Sequence, residues 1–140
     1  MNDERAVLSI CMTCRDGREA ETGMRGGSRL AQAIYARINA LRAAGVTLRG
    51  VECMSQCKRP CIVSLSQNDK FTYVFGDLAP DETAHTDALL ELVWRYNNAP
   101  EGFLERKQRP ELLQANILGR FPPIHSASPL VSHLDPVAAE

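Results

Sequence analysis

Two short apolar runs separated by an amphipathic stretch constrain this chain more than any other feature. Ala6-Val7-Leu8-Ser9-Ile10 has the length and β-branched content of a buried strand. Between Ser28 and Gly45, Leu30, Ile34, Ile38 and Leu41 recur at helical spacing, and Arg29, Gln32, Arg37 and Arg42 fall largely elsewhere. Ser28 suits an N-cap, and Gly45 suits the residue just past a helix end. Val46 to Glu52 reads as a second strand. A strand, a crossover helix and a second strand in one sheet run parallel, with a right-handed crossover. Their carboxyl ends then lie on the same side, where open α/β sheets place ligands.

Cysteine stands at both of those ends. The chain has five: Cys11 and Cys14 after the first strand, Cys53 and Cys57 after the second, and Cys61 shortly beyond. The topology lets four thiols from two adjacent loops meet, although 38 residues separate Cys14 from Cys53. Four such thiolates suit either a tetrahedral ion, Zn²⁺ or Co²⁺, or an iron–sulfur cluster. A zinc ribbon sets its knuckles about 15–20 residues apart. The wider separation and the C-x₃-C spacing here disfavour a ribbon without excluding zinc. Cys11-x₂-Cys14 beside a βαβ unit is also the cue for a thiol–disulfide pair. In such a pair the helix normally begins at the motif, whereas a polar, glycine-rich stretch from Arg15 to Gly27 intervenes here. Cys61 opens the next strand and is the weaker candidate, either a core thiol or the partner of Cys57.

Composition narrows the class. The 140 residues suit about one domain, and 44% apolar content excludes a wholly disordered chain. Sixteen basic against seventeen acidic side chains argue against a dedicated nucleic-acid or anionic-membrane binder. No apolar run approaches the ~20 residues that span a bilayer. The start, Met1-Asn2-Asp3-Glu4-Arg5, is acidic where a secretory signal would be basic, so a cytoplasmic location is expected. Thiols stay reduced there. No paired-carboxylate motif, Ser–His–Asp signature or phosphate loop is present, which points to an electron carrier or metal-binding protein rather than an enzyme.

The remaining elements follow from local pattern. Cys61 to Ser66 reads as a third strand and Lys70 to Phe75 as a fourth, joined by Gln67-Asn68-Asp69 into an antiparallel hairpin. Pro80 and Asp81 open a second helix running to about Asn97. Pro110 is placed to start a third, through Leu118, which Gly119 would stop. The last fifteen or so residues read as extended or mobile. The expected class is α/β in the order β-α-β-β-β-α plus a C-terminal helical appendage, with 1–99 as the metal-binding domain and 100–140 as an extension. Arg15, Arg18, Lys58 and Arg59 flank the cysteine loops as solvated charge, or as groups able to offset a thiolate site or dock an acidic partner. Glu52 and Ser55 stand among the cysteines and could tune them. His85, His125 and His133 read as surface residues, and Trp94 and Tyr96 as helix core or interface.

The segment Cys53-Met54-Ser55-Gln56-Cys57-Lys58-Arg59-Pro60-Cys61-Ile62-Val63 resembles the C-x₃-C-x₂-G-P-x-V stretch of thioredoxin-like [2Fe–2S] ferredoxins. The hairpin, Tyr73, Gly76, Asp81 and the second helix continue the likeness. Over roughly residues 6 to 123 the pattern resembles a bacterial family of uncharacterised, predicted metal-binding proteins often found near cobalamin genes. That family shares the ending Arg109-Pro110-Glu111-Leu112-Leu113…Arg120-Phe121-Pro122-Pro123. The resemblance implies a thioredoxin-like fold and a [2Fe–2S] cluster on Cys11, Cys14, Cys53 and Cys57. It implies electron transfer or metal handling with a redox or metal-accepting protein partner, and a homodimer as an option. The ferredoxins place their second ligand just before the first helix, where Met24 to Gly26 lie here, so the resemblance requires Cys14 to substitute for it. The fold likeness suggests a cis Arg59–Pro60 bond.

Overall fold

In the computed structural model, which describes residues 5–135, the first apolar run forms β1 (Ala6–Cys11). It lies inside a five-stranded sheet of order β2-β1-β3-β4-β5. The others are β2 (Val46–Val51), β3 (Val63–Ser66), β4 (Thr72–Phe75) and β5 (Ile117–Phe121). β1 and β2 are parallel, with Cys11 opposite Val51. β3 runs antiparallel to both β1 and β4. The parallel pair and the hairpin are therefore as expected. Leu48, Leu8, Leu65 and Tyr73 stand opposite one another across four strands and so share one face. Leu8, Leu65 and Tyr73 are fully buried there.

The crossover is two helices where one was expected: α2 (Gly26–Tyr35) and α3 (Ile38–Ala43), after a one-turn α1 (Glu19–Thr22) in the cysteine loop. Arg37, at φ −107° and ψ 22°, breaks the run. Leu30, Ile34 and Leu41 are buried as their spacing predicts. Ser28 is not the N-cap; its hydroxyl donates to the Met12 carbonyl at 3.0 Å. The helix starts earlier because Gly26 and Gly27 let its first turn press on the chain leaving β1. A Cβ on Gly27 would stand 1.9 Å from the Cys11 carbonyl oxygen. Gly45 ends the crossover at φ +75°, as expected of a glycine there. α4 (Thr83–Asn97) buries Leu89, Leu92, Val93 and Tyr96. It is tied to the crossover by Arg37–Asp87 at 2.7 Å and by Asn97 Nδ2 donating to the Ala44 carbonyl at 2.7 Å.

The C-terminal part differs most from expectation. No helix runs from Pro110 to Leu118. A 3-10 turn at Glu111–Leu113 is followed by β5. Local periodicity loses here because β4 would otherwise present an unpaired backbone edge. β5 covers it, pairing Thr72 with Phe121 and Val74 with Gly119. Residues 126–135 form neither helix nor strand, and 136–140, the end of the expected tail, lie outside the described residues. The cis bond expected at Arg59–Pro60 is instead at Pro60–Cys61. Among the described residues no helix is long and apolar enough to cross a membrane.

Candidate metal centre

The ends of β1, β2 and β3 are stitched together by backbone. The Cys11 amide donates to Ile62 at 3.0 Å, and the Met12 amide to Val51 at 2.8 Å. The Thr13 hydroxyl donates to the Glu52 carbonyl. These contacts bring the two cysteine loops to a single cavity of about 310 Å³ lined by Cys11, Cys14, Cys53 and Cys57. Cys11 and Cys14 are buried, Cys53 and Cys57 are exposed, and all are free thiols. Cys61 is fully buried and stays outside the lining, against the Gly26 backbone.

The two buried thiols differ in character. Burial pushes Cys11 up, but the Cys14 thiol and the backbone of Met54 and Thr13 bond to its sulfur and bring it below the ordinary thiol value. Met54 belongs to the second loop, so one loop stabilises the thiolate of the other. Burial and the neighbouring Cys11 push Cys14 up to about 12. Burial, with Cys14 and Asp16 nearby, likewise pushes Cys61 up to about 12.

The first cysteine loop is clamped. Arg29 of α2 pairs with Asp16 and, at 2.6 Å, with Asp81 ahead of α4. The Arg29 and Asp16 side chains are only 9% and 14% exposed, so this pair is shielded from solvent. The Glu19 carboxylate accepts from the Asp16, Gly17 and Gly26 amides. The second loop is tied less: the Ser55 amide donates to Cys53 Sγ at 3.4 Å, and Arg59 pairs with Asp77. Arg18 is engaged with Glu21 and Asp81. Arg15 and Arg25 line the cavity, Arg25 donating to the Thr13 carbonyl at 3.0 Å. Glu52 contributes its carbonyl, and Ser55 lines the cavity. His85 accepts the Ala79 amide at 2.8 Å, while His125 and His133 are exposed and apart from the cysteines. Tyr96 is core and Trp94 is 64% exposed.

Arg25, Asp16 and the Gly26-Gly27 pair were not singled out as site residues. A double glycine opening a helix beside a C-x-x-C was the available signal; the Asp16–Arg29 pair leaves none in local spacing.

The donor set fits a thiophilic metal or cluster, and a cavity of this volume has room for a group of several heavy atoms. Among the described residues, no three His, Cys, Asp or Glu side chains already stand at metal-holding separations. Of the cavity cysteines, Cys11 and Cys14 are buried, and Cys53 and Cys57 stand on an exposed loop.

The chain belongs to the family described as Protein of unknown function (DUF1636), whose model it matches over residues 8–123. A thioredoxin-like [2Fe–2S] ferredoxin from Aquifex aeolicus is similar in structure, with TM-score 0.52 and 17% identity over 87% of this chain and 98% of that chain. A second structure, of the wild-type thioredoxin-like [2Fe–2S] ferredoxin from Aquifex aeolicus, gives TM-score 0.49 and 14% identity over 83% and 98%. The first likeness shows the fold: a mixed, thioredoxin-like α/β sheet. No curated protein matches the sequence.

Proposed function

We propose that this family member holds a [2Fe–2S] cluster on Cys11, Cys14, Cys53 and Cys57 and serves in electron transfer or metal handling. The observation that carries the reading is four cysteines from two loops lining one cavity. A solved protein of the same fold is a [2Fe–2S] ferredoxin, which favours a cluster over a single Zn²⁺ or Co²⁺ ion. When bound, a cluster supplies a one-electron step. Cys11, whose sulfur is contacted by the Cys14 thiol and the Met54 and Thr13 backbone, is the natural first ligand. Arg15 and Arg25 offset the negative charge that four thiolates bring. Cys53 and Cys57 lie on the exposed side, where an acidic redox or metal-accepting partner protein would approach.

Iron and acid-labile sulfide analysis of anaerobically prepared protein is the test. About two of each per chain, visible absorption and a paramagnetic reduced state are expected. Zinc or cobalt without iron would replace the cluster with a mononuclear ion. A second reading has its own observation, the split between a lowered Cys11 and a raised Cys14, which suits a thiol–disulfide pair. It requires metal-free protein to reduce a small disulfide, and Cys11→Ser to abolish that activity.

A further inference from the structure

The segment that leads into β5 carries a group of side chains that the cysteine site does not use. Arg106, Arg109 and Arg120 line a cavity of about 580 Å³, walled on the apolar side by Phe103, Ile117 and Leu118. It is a broad, open depression rather than an enclosed pocket.

Three guanidiniums around one space repel each other, so something must hold them. Backbone carbonyls do. Arg109 is 4% exposed; its Nε donates to Leu113 and its Nη2 to Gln114, each at 3.0 Å. Arg106 Nη1 reaches the Gln114 carbonyl at 3.2 Å, and Arg120 Nη1 the Leu104 carbonyl at 3.1 Å. Arg120 also stacks on Phe103, 4.3 Å from the ring centroid. None of the three pairs with a carboxylate among the described residues, whereas Arg18, Arg29, Arg37, Arg59 and Arg95 all do. Glu105 also lines the cavity, but its carboxylate caps the turn at the Gln108 amide. Carbonyl oxygens orient a guanidinium without neutralising it. The cavity therefore keeps a net charge of two positive units from its own lining.

We propose that Arg106, Arg109 and Arg120 form an oxyanion site that takes the phosphate group of a small phosphorylated molecule. Exposed Arg106 and Arg120 offer guanidinium N–H groups suited to phosphate oxygens, and Arg109, whose Nε and Nη2 are engaged by carbonyls, contributes charge. A phosphate monoester carries about −1.5 to −2 charges at neutral pH, which balances the lining, whereas a single carboxylate leaves one charge unmatched. Phe103, Ile117 and Leu118 give the organic part of the ligand an apolar surface.

The test is calorimetric titration and thermal unfolding of the full chain with inorganic phosphate, glucose 6-phosphate and citrate, at constant ionic strength in chloride. Saturable binding and a raised Tm with the phosphates are expected, with citrate no tighter despite its greater charge. Arg109 is buried, so its replacement could impair folding; Arg106→Gln and Arg120→Gln remove exposed charges instead. Each is expected to weaken phosphate binding about tenfold. Arg42→Gln, which removes an exposed charge on α3, should leave binding unchanged. The proposal fails if phosphate does no more than chloride, if citrate binds and phosphate does not, or if Arg106→Gln and Arg120→Gln bind like the parent.

Discussion

The cysteine cavity and the arginine cavity are assembled in opposite ways. The cysteines come from loops that follow β1 and β2, far apart in sequence, and the parallel pairing of those strands brings them together. The arginines all lie between residues 106 and 120: the Leu113 and Gln114 carbonyls hold Arg106 and Arg109, and the Leu104 carbonyl holds Arg120 of β5. Topology builds the first, and short-range backbone builds most of the second. The difference extends to readiness. Two of the four cavity cysteines are exposed on a lightly tied loop, whereas the most buried arginine already has both its contacts made.

The largest effect should separate the two regions outright. Cys11→Ser or Cys57→Ser is expected to abolish iron and sulfide retention while leaving phosphate titration within experimental error, since distant sites without shared partners act independently. A change in both would break the contrast. Next is the clamp on the first loop. Arg29→Met leaves Asp16 shielded and unpaired, at a cost of about 3 kcal/mol by urea unfolding at neutral pH.

The same pair has a pH signature. Burial alone would raise the Asp16 carboxyl, but the Arg29 guanidinium and the Arg18 amide hold it below the ordinary range. Its contribution to stability is therefore full above the unfolded value of about 3.9 and drains as pH falls through the lower folded value. Arg29→Met should flatten that acid limb in a stability–pH series.

Gly27→Ala places a methyl group on the Cys11 carbonyl and should cost about 1–3 kcal/mol in the same assay. The smallest effect belongs to Cys61. Cys61→Ala removes a buried sulfur outside the cavity lining, for about 1 kcal/mol of stability and no loss of iron. Iron loss in Cys61→Ala would redraw the ligand set.

Legibility in the sequence followed the same division. β1, the crossover and β2 were readable because hydrophobic spacing is a local signal, and the handed crossover converts it into a prediction about where Cys11 and Cys53 end up. The break at Arg37 and the early start of α2 were not readable. Both depend on how closely the helix meets the chain leaving β1, a distance that Gly26 and Gly27 permit without announcing it. Ile117 and Leu118, the start of β5, read as the end of a helix because Pro110 and Gly119 suit helix boundaries. The decisive partner, the open edge of β4, lies more than forty residues away. The arginine cavity was invisible for a related reason: arginines on a surface and arginines around a cavity look alike until the carbonyls that aim them are in place.

The clamp made by Arg29 has a directional consequence for traffic at the metal centre. With α2, the first cysteine loop and the approach to α4 locked at one guanidinium, the buried wall is a fixed jamb. Under the proposed function, loading and release would both pass the exposed Cys53–Cys57 side, so one door would serve both directions.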